Sequence, residues 1–120
     1  MADNDRNRKT RAASGENWPM KSVIRYKTKP ESADENQRLI ENVYAELADR
    51  NQGGMRYATL RLEDGVTFVH IFMTDSHDTP NTMGDIAAFA EFQRELANRC
   101  IEQPVAQAAT VVGSYRLLTT

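Results

Sequence analysis

The residue pattern predicts an α+β fold: a four-stranded antiparallel sheet with two helices on one face, in the order β-α-β-β-α-β. Three observations predict it. Met55–Asp75, MRYATLRLEDGVTFVHIFMTD, reads as two β-rich runs joined by Asp64-Gly65, the strongest short-range hairpin signal. Stretches of helical apolar spacing flank that hairpin, Ser32–Arg50 before it and Asp85–Cys100 after it. A further β-rich run stands outside each helix, at Ser22–Thr28 and at Val105–Leu118.

Residues 1–19 are polar, charged and non-periodic, and predict a disordered or extended tail; residues 20–120 form one domain. Trp18 is the exception in the tail, an aromatic that could fold back onto the domain or onto a partner subunit. Ser22–Thr28, SVIRYKT, alternates: Ile24 and Tyr26 share one side, Val23, Arg25 and Lys27 the other. Lys29-Pro30 ends that strand. Ser32 and Glu35 fit a capping box at the start of the first helix. Leu39, Ile40, Val43, Tyr44 and Leu47 form its apolar stripe, and Gln52-Gly53-Gly54 stops it. Ser76–Gly84 is dense in turn formers. The second helix buries Ile86, Phe89, Phe92 or Gln93, Leu96 and Cys100, and Gln103-Pro104 breaks it. Gly113 suggests a bulge within a long last strand. This order of elements is the split βαβ, or ferredoxin-like, arrangement.

A two-residue loop pairs Glu63 with Val66 and carries the ladder through Arg61–Phe68 and Thr59–His70 to Tyr57–Phe72. Side chains alternate between faces with period two. One face then holds Ala58, Leu60, Leu62, Val69, Ile71 and Met73, and suits packing against helices. The other holds Tyr57, Thr59, Arg61, Phe68, His70 and Phe72. An uncovered face that rich in rings calls for a ligand or a second copy of the sheet, which predicts a two-fold homodimer.

The chain has 120 residues, 40% hydrophobic and 27% charged, enough for one core without disulfides. A net charge of −2 argues against nucleic acid as the main partner. Cys100 is the single cysteine and cannot form an internal disulfide. No apolar run approaches the ~20 residues that a membrane span needs. With no signal-peptide pattern either, the expectation is a cytoplasmic protein with no membrane partner.

His70 is the residue with the most chemical interest. It could serve as a general base, or as a hydrogen-bond donor to a phenolic or enolic ligand, since histidine titrates near neutrality. It could equally be a buried histidine satisfied within the sheet interface, for no orienting acid stands at suitable spacing. Tyr26, Tyr57 and Tyr115 could line one cavity, or simply pack. Arg25, Arg61 and Arg116 could hold a carboxylate, or pair with Glu63 or Asp64. Asp75, His77 and Asp78 are a weak metal signal better read as a solvated loop. No metal or cofactor is expected.

The element order, the run TFVHIFMTD leading to the aromatic helix AAFAEFQ, and the ending VVGSYRL together resemble the dimeric α+β barrel superfamily. Within it the chain is most similar to the antibiotic-biosynthesis monooxygenase-like group, over about residues 20–118. The resemblance implies sheets that pair into a dimeric α+β barrel. It also implies a cofactor-independent enzyme acting on a small aromatic or enolic compound. The chain lacks the acidic-tryptophan pair that many relatives carry on the third strand, and the asparagine of haem-degrading relatives on the first, so no catalytic residue transfers. If the chain is an enzyme, His70 is the candidate base, and Tyr57, Tyr26, Arg61, Phe68 and Phe72 would surround the substrate. The alternative is a non-catalytic dimer that binds a small ligand or serves as an accessory module.

Overall fold

A computed structural model describes residues 18–51, 53–76 and 78–117. The tail expected over residues 1–19 lies outside the described residues up to position 17, and His77 lies outside them too. The strands are β1 (Lys21–Thr28), β2 (Met55–Arg61), β3 (Thr67–Thr74) and β4 (Cys100–Ala108). The helices are α1 (Ala33–Arg50), α2 (Ala87–Arg94) and the one-turn α3 (Leu96–Arg99). The sheet order is β2-β3-β1-β4, antiparallel throughout, with α1 packed along α2 on one face. This is the ferredoxin-like α+β arrangement.

The hairpin register is the expected one, from Arg61 opposite Phe68 to Tyr57 opposite Phe72. Its loop is longer. Leu62 N–H donates to the Thr67 carbonyl and Gly65 N–H to the Leu62 carbonyl, so Glu63–Val66 forms the turn. Gly65 takes a positive φ of 78° there, and the Asp64 carboxylate accepts from the Val66 and Thr67 amides at 3.0 and 2.9 Å. The Thr67 hydroxyl, which donates to the same carboxylate, and then these two amides hold the Asp64 carboxyl down to about 2.

The face assignment is reversed. Phe68, His70 and Phe72 are buried with Ile24 and Tyr26 beneath Leu39, Ile40, Val43, Phe89 and Phe92 of the helices. The aliphatic set lies on the open side: Leu60 is 50% exposed and Val105 of β4 56% exposed, in register with Val69, Ile71, Val23 and Arg25. Both faces are apolar, so hydropathy alone could not choose between them. The hand of the β-α-β crossover decides which face the helices cover. Charge supplies a second reason: Arg25 and Lys27 share the aliphatic side of the central strand, and helices laid there would strip water from both.

Helix ends also differ from expectation. Ser32 makes no capping hydrogen bond; a 3-10 turn over Pro30–Ser32 leads into α1 instead. The left-handed stop is Asn51, φ 51°, whose N–H reaches the Leu47 carbonyl, rather than a glycine. The second helical stretch is interrupted at Glu95 and gives way to β4 at Cys100, five residues before the expected start. Pro104 sits inside β4, which tolerates it because β4 is an edge strand, and the register slips opposite Arg25–Lys27. β4 ends at Ala108, so Gly113 is not within a strand. The amides of Ala87 and Ala88 at the start of α2 donate to Glu46 of α1 at 3.1 and 2.8 Å. That carboxylate locks the two helices together and stays ionised, its pKa lowered chiefly by the Ala88 amide.

Candidate functional site

A chain of side-chain hydrogen bonds runs through the layer between sheet and helices. Arg99 Nε donates to Asn36 Oδ1 at 3.0 Å, and its Nη2 to the Phe92 carbonyl at 2.7 Å. Asn36 Nδ2 donates to the Tyr26 hydroxyl at 2.9 Å. That hydroxyl lies 2.8 Å from His70 Nε2. On the far side of the ring, Nδ1 is 2.5 Å from the Tyr57 hydroxyl and 3.1 Å from that of Thr59, which meets Tyr44 at 2.8 Å.

Local structure explains the convergence. Thr59 and Ile24 flank His70 as cross-strand partners, and Tyr57 lies two residues before Thr59 on the same face. Asn36 stands on the inward stripe of α1 with Ile40 and Val43, and Arg99 follows Leu96 at one-turn spacing. The rings of Tyr26 and Tyr57 stack on His70 at 5.3 and 5.6 Å.

The donors set the direction of the chain. Arginine has no acceptor, so the Asn36 oxygen must face Arg99 and its NH₂ must face Tyr26. The Tyr26 oxygen therefore accepts, and its own proton points to His70 Nε2. His70 is then neutral, with its proton on Nδ1 facing Tyr57 and Thr59. Burial agrees: His70 is 1% exposed, and desolvation pushes its pKa down to about 3. Desolvation also raises the Tyr26 and Tyr57 hydroxyls well above the ordinary tyrosine range and Tyr44 to about 12. At neutral pH the chain holds one charge, on Arg99. It suits a hydrogen-bond donor at His70 better than a base, since a histidine that resists protonation accepts a proton poorly.

Beside this chain lies a cleft of about 280 Å³, lined by Tyr44, Leu47 and Ala48 of α1, Met55 and Tyr57 of β2, and Met83. Tyr44 and Tyr57 stack at 5.1 Å and form its aromatic wall. Tyr57 and Tyr44 are shared by the cleft and the His70 chain, Tyr57 by direct contact with Nδ1 and Tyr44 through Thr59.

Of the residues singled out from the sequence, the structure brings His70, Tyr26 and Tyr57 together. Phe68 and Phe72 join them as buried packing on the same face. Arg61 lies over the Phe68 ring at 5.6 Å but does not reach His70, its guanidinium being bonded to Asp34 at 3.1 Å, Gln37 at 2.7 Å and the Gly65 carbonyl at 2.8 Å. Tyr115 is exposed beside Arg116 rather than in a cavity with the other two tyrosines. Arg25, Arg61 and Arg116 do not converge. Asp75 pairs with Arg56 at 3.2 Å, and no group of three or more metal-ligating side chains assembles among the described residues. Cys100 is buried with its thiol pushed up to about 11, chiefly by desolvation. Sequence reasoning missed Asn36 and Arg99 as functional neighbours. Their signal was present: each is a polar residue placed at the spacing of an apolar stripe.

Trp18 packs into the same layer. It is 5% exposed, with its ring 5.5 to 6.3 Å from those of Phe89, Phe72, Tyr57 and His70. No described helix is long and apolar enough to cross a membrane.

No protein-family profile matches this sequence, and no curated protein sequence does. Solved structures do share its shape. A candidate antibiotic biosynthesis monooxygenase from Nitrosomonas europaea superposes with a TM-score of 0.63 at 14% identity, over 78% of this chain and 98% of that one. Another from Caulobacter crescentus gives 0.57 at 21% identity, over 72% and 83%. SnoaB, a cofactor-independent oxygenase from Streptomyces nogalater, gives 0.54 at 19% identity, over 76% and 92%. The chain therefore has the ferredoxin-like α+β fold of the antibiotic biosynthesis monooxygenase-like proteins.

Proposed function

We propose that this protein binds a small, planar, largely apolar compound in the cleft walled by Tyr44 and Tyr57, and does so as a homodimer joined through the open aliphatic face of its sheet. The observation that carries the ligand reading is the cleft itself. At about 280 Å³ it approaches the ~300 Å³ lower bound of small-molecule sites, and it is lined by apolar and aromatic side chains with few polar groups. The dimer rests on Leu60, Val69, Ile71, Met73 and Val105 sharing one face with no described helix over it and with Leu117 of the segment after β4 beside Leu60, Ile71 and Met73, an arrangement that a second copy covers by two-fold symmetry.

A second reading has one specific support, the contact of Tyr57 with both the cleft and His70. In that reading the protein is a cofactor-independent oxygenase, as SnoaB is described, with molecular oxygen as co-reactant. Tyr57 donates to the oxygen of a phenolic or enolic substrate bound as its anion, the substrate's proton having gone to solvent. His70 acts through Tyr57, its Nδ1–H holding the tyrosine in place.

A thermal-shift screen with planar phenols tests the binding reading. Hits should lose their effect in Ala48→Trp, which fills the cleft from the exposed side of α1 without entering the core. Retained shifts in that variant would move the site elsewhere and defeat the proposal. Oxygen uptake in the presence of a hit, abolished by Tyr57→Phe, separates the oxygenase from the binder; no uptake with any hit removes the second reading.

A further inference from the structure

Trp18 is unlike the other rings of the core. Tyr26, Phe68, Phe72, Phe89 and Phe92 all sit on strands or helices, whereas Trp18 precedes β1 and belongs to no element. The sheet ladder is complete from Lys21 onward without it. Its indole meets Phe72 and Phe89 edge-on, at 63° and 82°, and lies tilted over Tyr57 and His70. The indole N–H is buried with no hydrogen-bond partner among the described residues. A tryptophan fitted into a core normally finds a partner for that N–H. The pocket here recognises a flat bicyclic ring and leaves its nitrogen unsatisfied.

We propose that Trp18 is a built-in occupant of an aromatic pocket against Tyr57 and His70, which a planar bicyclic compound takes over when the Trp18 side chain swings out. This rests on the reading that the layer between sheet and helices takes an aromatic ligand, and adds a gate to it. Three points support displacement over permanent packing. The docking side chain belongs to no strand or helix, and swinging it out leaves in place the bonds of its neighbours, Ser22 Oγ to the Pro19 carbonyl at 3.2 Å and the Thr74 amide to the Met20 carbonyl at 2.8 Å. The occupant's one polar atom gains nothing from the site, so a ring without a buried N–H fits at least as well. The pocket adjoins the cleft through Tyr57, which touches both. A ligand that must expel Trp18 binds more weakly than the empty pocket would allow, by the fraction of molecules in which the pocket is free.

Trp18 is the only tryptophan in the chain, so it reports on itself. The full chain labelled with 5-fluorotryptophan gives one fluorine resonance. Saturating 2-naphthol should move that resonance to the position of a solvent-exposed indole. Calorimetry should show Trp18→Ala binding 2-naphthol at least ~10-fold more tightly than the wild type, because the competitor is gone. If circular dichroism shows that variant unfolded, Trp18→Phe takes its place and should bind with intermediate strength. Binding with an unmoved resonance, and equal affinity in wild type and variant, overturns the gate while leaving the cleft reading intact. A folded Trp18→Ala that binds no 2-naphthol also overturns the gate. If the wild type fails to bind as well and the phenol screen finds no hits, the cleft reading falls with it.

Discussion

The two faces of the sheet are built from the same strands with opposite chemistry. The inner face carries rings and a continuous line of hydrogen bonds, from Arg99 through Asn36, Tyr26 and His70 to Tyr57 and Thr59. The outer face carries aliphatic chains with Arg25 and Lys27 among them and no buried polar line, and much of it is open: Val105, on the edge strand, is 56% exposed. Burial on the inner face is specific, because every polar group needs one particular partner in one geometry. Burial on the outer face would be unspecific in that sense, needing only apolar cover of matching shape. The inner face should therefore govern folding and chemistry, and the outer face assembly.

The largest test of that division is Phe72→Ala. Phe72 is fully buried on the inner face, and removing its ring should lower the unfolding free energy by about 3–5 kcal/mol in chemical denaturation. A loss below ~1 kcal/mol, the size expected for a half-exposed residue, would restore the aromatic face to the outside. By the same argument Phe68→Asp unfolds the chain rather than merely splitting a dimer, since its charge would lie in the core.

Asn36→Ala comes next. It leaves Arg99 Nε and the Tyr26 hydroxyl without their partner, inside a layer that water does not reach. An orphaned buried group costs about 1–3 kcal/mol, more beside a charge. The ¹⁵N shifts of His70 should also change, because nothing then forces the Tyr26 proton toward Nε2. An unchanged protonation pattern would show that the tautomer is set elsewhere.

How much of this was legible in the chain divides along the same line. Alternation in TFVHIFMT and the Asp64-Gly65 turn specify the ladder, and its register follows residue by residue. Alternation repeats every two residues on both faces, so it says that Phe68, His70 and Phe72 travel together and not where they go. The charges on β1 held the missing information. Pairing β1 with β3 sets Arg25 beside Val69, marking the aliphatic side as the wetter one. For the site, the grouping of His70 with Tyr57 and Thr59 was visible from hairpin register alone. Its link to Asn36 and Arg99 depends on how the helices dock, which sequence spacing does not record. β4 was misplaced because Pro104 reads as a breaker, and only knowledge that the strand lies at an edge removes that objection.

Acidification probes the inner face with a smaller effect. His70 is held near a pKa of about 3 when folded, against about 6.5 when the chain unfolds. The unfolded chain binds the proton first, so stability is full above pH 6.5 and falls as pH drops toward 3. Each pH unit in that window should remove about 1.4 kcal/mol. Between pH 6.5 and 5 ordinary carboxylates remain ionised, which isolates the histidine contribution. His70→Gln should flatten the slope there. An unchanged slope in the variant would mean that another group carries it.

The smallest effect on folding belongs to the outer face, and it is the sharpest test of the division. Leu60 is half exposed near the middle of β2, in register with Val69. In an isolated chain Leu60→Asp exchanges one solvated side chain for another, and should shift monomer stability by no more than about 0.5 kcal/mol. In a dimer closed through this face the two-fold axis buries each aspartate without a partner, and the assembly should come apart. Light scattering at micromolar concentration should thus find a dimeric mass for the wild type and a monomeric mass for Leu60→Asp, with unfolding of the monomer unaltered. A wild type monomeric at every dilution would leave the aliphatic face without a second copy. A variant that unfolds would place Leu60 within the core and erase the difference between the two faces.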